Sequence, residues 1–175
     1  MNETLARWNR LPAAEAEKEV LACCGSRAWA QALARQRPVM SEAMLLAAAD
    51  NIWRNLTEAD WMEALESHPR IGELPKAEAK AEEAPAARSE RWSAEEQSQA
   101  GMAPESVKIT LREANRDYEK RFGRTFIVCA TGKSAAEILE ILQKRLKNDP
   151  CTELLEAAAE QRQITHIRLQ RWLAE

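Results

Sequence analysis

TFIVCAT, residues 125–131, is the only β-rich run in this chain of 175 residues, so the fold class turns on whether it can pair in a sheet. Its apolar residues are consecutive, whereas a strand with one face in water alternates apolar with polar. No second run of the kind is present to pair with it. The segment is therefore expected to be extended and buried without belonging to a sheet. Everything around it carries helical signals, which makes the expected fold all-α: a single compact bundle of about eight helices with one buried extended segment.

The composition agrees. Glycine is scarce, with five residues, and the chain is rich in Ala, Glu, Leu, Arg and Lys, which lose least on entering a helix. A length of 175 residues suits one domain, 1–175. Lys and Arg number 25 against 28 for Asp and Glu, and a net charge of −3 leaves no basic footprint for nucleic acid or an anionic membrane. There is no apolar run of about 18 residues, and MNETLARWNR lacks the basic-then-apolar order of a signal peptide. A soluble, cytoplasmic protein is expected, since Leu173-Ala174-Glu175 is not the peroxisomal S-K-L signal. The cysteines, Cys23, Cys24, Cys129 and Cys151, form no C-x-x-C pair and have no histidine at zinc-ligand spacing, so reduced structural thiols and no metal centre are expected.

Downstream of TFIVCAT, Ser134 and Glu137 form a capping box for a helix with Leu139, Leu142 and Leu146 inward, and a last helix runs from about Thr152 to Leu173. Upstream, Pro104 to Gly123 brackets a helix with the stripe Val107, Leu111, Ala114, Tyr118 and Phe122, and Ser93 with Glu96 has the S-x-x-E pattern of a helix start. Residues 73–91 are charged and alanine-rich with little periodicity, and read as a mobile or partly helical excursion. Before it, helices are expected from Pro12 to Gly25, from Ser26 past Leu33, from Ser41 and from Thr57 with Asp60. In the Ser41 helix, Met44, Ala48, Ile52 and Leu56 join Leu45, Ala49 and Trp53 in a wide face assigned to the core.

Four features carry possible chemistry. His68 ends the Thr57 helix on the side of Trp61 and Leu65, with Pro69 biasing it away from helical dihedrals. Physics alone leaves it as either a helix-terminal cap, favoured there as imidazolium, or a reactive group held in a fixed pose. Glu96 and Gln97 either simply start a helix or line a polar pocket. Arg168 lies on the apolar side of the last helix between Ile164 and Trp172, where it either snorkels out or needs an anionic partner, while His166 points to the other face. Gly132-Lys133-Ser134 matches the end of a phosphate-binding loop, but Ile127 stands where that loop requires glycine, and Ser134 is better read as a cap.

Taken together, CCGSRAWA (23–30), HPRIG (68–72), SAEEQ (93–97), NRDYEKRFG (115–123), FIVCATGKSAAEIL (126–139) and ITHIRL (164–169) resemble one family over nearly the whole chain. It is the 2-oxo-4-hydroxy-4-carboxy-5-ureidoimidazoline (OHCU) decarboxylases of urate breakdown. The resemblance implies an all-α homodimer that converts OHCU to (S)-allantoin and carbon dioxide without metal or organic cofactor. It implies a catalytic His68 with Pro69 beside it in the pocket, substrate contacts from Ser93, Glu96, Gln97 and Arg168, and backbone contacts from Ile127, Val128, Cys129 and Ala130. Glu96 and Arg168 would share in the catalysis. One departure is that Arg124 and Thr125 follow R-F-G, where many members have an aromatic and a proline. The competing reading is a helical module that binds a purine-derived ligand without turning it over.

Overall fold

Capping residues and glycines divide the chain into helices. The computed structural model describes residues 2–72 and 85–175. Among them are ten helices and no strand: α1 Glu3–Trp8, α2 Ala13–Cys24, α3 Arg27–Ala34, α4 Glu42–Arg54, α5 Glu58–Glu66, α6 Pro85–Glu96, α7 Ser98–Gly101, α8 Glu105–Phe122, α9 Ala135–Arg145 and α10 Pro150–Ala174. The all-α expectation holds, with more helices than the eight expected. Asn2 caps α1 by accepting from the Leu5 N–H, and two helices, α6 and α7, stand where one was expected.

That last difference corrects the reading of Ser93, which lies inside α6 rather than at its start. PAARSERW contains mostly helix formers, so the helix extends back to Pro85, and proline suits the first helical position. Glu96 ends α6 and Gln97 is the N-cap residue of α7, so neither sits in a first turn. Of the excursion expected at 73–91, residues 73–84 lie outside the described residues and the remainder is helical.

The described residues group into two compact units, one built from residues up to Ala64 together with Arg162–Glu175, the other from Leu65–Gln161. In the first, Gly25 ends α2 at φ 86°, a left-handed conformation that costs glycine little. Ser26 and Ser41 cap α3 and α4 by accepting from the Trp29 and Met44 N–H groups. The tryptophans fill the core with their polar ends satisfied. Trp8 packs edge-on against Trp172 at 5.8 Å and donates to the Ala16 carbonyl, while Trp29 donates to that of Ala49.

The wide face assigned to α4 is narrower than expected. Leu45, Ala49 and Trp53 are buried, but Met44 is 52% exposed and Ile52 only half-buried. The two rows are offset by one residue, about 100° around the helix, and only one of them meets the core. His166, on the other face from Arg168, is part-exposed and finds a partner. Its Nε2 lies 2.7 Å from Asp50 Oδ1, which also accepts from Arg162 Nε. Arg168 does not snorkel: it is fully buried, and its Nη1 donates to the Ala22 carbonyl.

The second unit packs Ile71, Leu111, Tyr118, Ile138 and Leu142 around Phe126 and Val128 of the extended segment. Residues 126–130 are all buried and belong to no strand. The capping box at Ser134 and Glu137 forms in full. Glu153, with no exposed surface, accepts from Tyr118, from Arg145 and, through its other oxygen, from Asn148. Arg145 then donates from Nη1 to the Ile127 carbonyl at 2.6 Å, supplying a backbone bond that a neighbouring strand would otherwise make.

Cys23, Cys24 and Cys129 are buried and only Cys151 is exposed. Burial pushes the Cys24 thiol up to about 12. A thiol reagent at about pH 8 should therefore label one cysteine per native chain quickly and the other three only after denaturation. Rapid labelling of two or more in the native protein would contradict this core.

Candidate active site

All the predicted site residues except Arg168 fall in the second unit. His68 follows α5 by two residues, and its N–H reaches the Leu65 carbonyl at 3.4 Å as the helix unwinds. The side chain is half-buried with Nε2 shielded from solvent. The residues after it are fastened to α8. Arg70 grips Glu119 with two parallel bonds of 2.6 and 2.8 Å, and buried Asn115 donates to the Ile71 carbonyl. Gly72, at φ 83°, brings its N–H to Gln97 Oε1 at 3.1 Å, and a Cβ there would stand 3.4 Å from Leu111. The imidazole thus springs from a backbone held just beyond it. A bond between HPRIG and SAEEQ joins two of the motifs.

Ser93 and Glu96, three residues apart, share the buried face of α6 with Trp92. Ser93 is 1% exposed and Glu96 8%, so a carboxylate and a hydroxyl stand together away from water. Gln97 accepts through its oxygen, which leaves its amide N–H groups as its donors toward a ligand. A cavity of about 220 Å³ adjoins this junction, lined by Gly72, Gln97, Lys108 and Arg112 among others.

The third motif is the extended segment. Burial pushes the Cys129 thiol up, and the nearby Glu160 and Glu96 carboxylates push it further against the pull of Lys133. This thiol stays protonated and is a poor nucleophile. Glu96 is thus within electrostatic reach of the segment. Several of its backbone groups are already engaged: the Cys129 N–H by Glu160, the Cys129 carbonyl by Lys133, the Ala130 carbonyl by the Lys133 N–H and the Ile127 carbonyl by Arg145. Among the described residues, the N–H groups of Ile127, Val128 and Ala130 and the Val128 carbonyl are in no such bond, and these can meet a ligand.

Among the described residues, no group of three His, Cys, Asp or Glu side chains is placed to hold a metal ion, and no helix is long and apolar enough to cross a membrane. The holding roles of the residues around the candidate site were not read from the sequence. Asn115, Tyr118 and Glu119 lie inside the NRDYEKRFG motif, but nothing in that motif says what they hold.

A profile of the OHCU decarboxylases matches residues 9–170 and so runs through both units. The chain belongs to the OHCU decarboxylase family. It is 36% identical to the uric acid degradation bifunctional protein TTL of Arabidopsis thaliana over 154 residues, which take in 87% of this chain and 46% of that protein. It is 37% identical to the 2-oxo-4-hydroxy-4-carboxy-5-ureidoimidazoline decarboxylase of Xenopus laevis over 76 residues, 42% of this chain and 43% of that one. The matched stretches thus span less than half the length of these curated relatives. An OHCU decarboxylase crystallised in the presence of (S)-allantoin superposes with a TM-score of 0.75 and 32% identity, covering 90% of this chain and 99% of that chain. An (S)-allantoin synthase, at 17% identity and a TM-score of 0.71 over 96% of this chain and 53% of its own, shares the fold.

Proposed function

We propose that this protein decarboxylates OHCU to (S)-allantoin without a cofactor. The observation that carries the reading is the bond between HPRIG and SAEEQ, from the Gly72 N–H to Gln97, which ties the His68 loop to the end of α6 that carries Ser93 and Glu96, with Glu96 within electrostatic reach of Cys129 in FIVCA. The likeness to an OHCU decarboxylase crystallised with (S)-allantoin, over 99% of that chain, supports it.

The substrate explains why no thiamine or pyridoxal is needed. The carbon–carbon bond to the carboxylate breaks, and its electron pair passes toward the adjacent ring C=N, whose nitrogen takes up a proton. Loss of the 4-hydroxyl proton, with protonation of the former C=N carbon on one face, then gives allantoin. Neutral His68 accepts the hydroxyl proton, and Pro69 directs the chain that aims it. Glu96 orients the ureido N–H groups, Ser93 and Gln97 bind the polar edges of the ligand, and the backbone at 127–130 meets the ring. Arg168 balances negative charge, a role that rests on its family motif alone. We also propose a cytoplasmic homodimer, which light scattering on the purified chain tests.

The deciding experiment generates OHCU from urate with the two preceding enzymes and adds this protein. Allantoin should form faster than in the spontaneous reaction and with S handedness. Racemic product at the spontaneous rate, with (S)-allantoin still bound, would favour the non-catalytic binding module. In the same assay Arg168→Lys, which keeps the charge but loses the planar fork, should lose about tenfold or more in kcat/KM. Wild-type kcat/KM in that variant would remove Arg168 from the proposal.

A further inference from the structure

The turn after the extended segment does a job that the decarboxylation scheme above does not use. The Lys133 N–H closes a four-residue turn onto the Ala130 carbonyl at 3.0 Å, with Gly132 at φ 78° in the third position, where a side chain would be strained. The turn folds the Lys133 side chain back, and its Nζ donates to the Cys129 carbonyl at 2.6 Å. Across the same residue, Glu160 of α10 accepts from the Cys129 N–H at 2.7 Å. Both bonds are charge-assisted, about twice as strong as neutral ones. They hold the N–H and the carbonyl of one residue from two elements.

We propose that Glu160 and Lys133 are positioning residues, which clamp Cys129 so that the backbone groups of Val128 and Ala130 on either side are presented to the ligand at a fixed pitch. This deepens the function proposed above and rests on it. Successive peptide groups along an extended chain point in opposite directions, so fixing those of Cys129 sets the directions of its neighbours. Gly132-Lys133-Ser134, which the sequence offered as an incomplete phosphate loop, takes its place as the clamp's hinge and one of its jaws.

Glu160 is half-buried, so replacing it need not open the core. In Glu160→Ala the KM for OHCU and the Kd for (S)-allantoin measured by calorimetry should both rise about tenfold, with kcat changed far less, because ligand and transition state lose the same backbone contacts. Glu160→Gln, which keeps an acceptor oxygen, should restore most of both. A merely structural Glu160 would lower the melting temperature of Glu160→Ala while leaving KM and Kd at wild-type values, and that result overturns the clamp. A wild-type protein that neither turns over OHCU nor binds (S)-allantoin overturns the proposed function instead, so the two failures are distinct.

Discussion

Replacing His68 with Asn is expected to lower single-turnover decarboxylation by about 10²-fold or more while leaving the fold intact, the usual scale for losing a general acid–base group. Asparagine keeps a polar side chain of similar reach but has no nitrogen that can take up a proton near neutral pH. The loop should keep its course. Its anchors, Arg70 on Glu119, Asn115 on the Ile71 carbonyl and Gln97 on the Gly72 N–H, do not involve the imidazole. Circular dichroism and a melting temperature within a few degrees of wild type verify the fold. Turnover near the wild-type rate would remove His68 from the chemistry.

The second large effect concerns stability. Glu153→Ala should destabilise the second unit by about 3–5 kcal/mol, the cost of leaving a buried charge without its partner. The Arg145 guanidinium is 3% exposed and donates two bonds to Glu153, with Tyr118 donating to the same carboxylate. Burial and that bond push the Tyr118 hydroxyl's pKa up, so it remains a donor throughout the working pH range. Tyr118→Phe removes one bond and should cost about 1 kcal/mol. Adding Arg145→Met to Glu153→Ala should recover part of the loss, since an apolar group then replaces the stranded cation. Denaturant midpoints measure all three. A shift of less than about 1 kcal/mol for Glu153→Ala would mean that the carboxylate is not the hub of this core.

What the sequence disclosed was local. Ser26, Ser41 and Ser134 cap the helices expected of them, and Gly25 and Gly123 end theirs at positive φ, because a cap is decided within one turn of chain. Ser93 shows how the same signal misleads. S-x-x-E is satisfied equally well in mid-helix, and only the formers upstream, with Trp92 buried, carry α6 past it. The candidate site was named as motifs through resemblance, whereas periodicity left His68 and Glu96 undecided. The grip of Asn115 on Ile71 and of Arg145 on Ile127 spans 44 and 18 residues, distances over which no local pattern carries information.

The extended segment has one more consequence. FIVCA is apolar and uncharged, the composition that stacks into intermolecular sheets once released. In the native chain the Ile127 carbonyl and both backbone groups of Cys129 are held by Arg145, Glu160 and Lys133 rather than by strands, and Arg124 and Lys133 flank the segment as charged gatekeepers. The side chains proposed to shape a ligand's surroundings are therefore also expected to keep this segment from self-association. A variant such as Glu153→Ala, which loosens Arg145, should be lost from solution by aggregation before it is lost by simple unfolding.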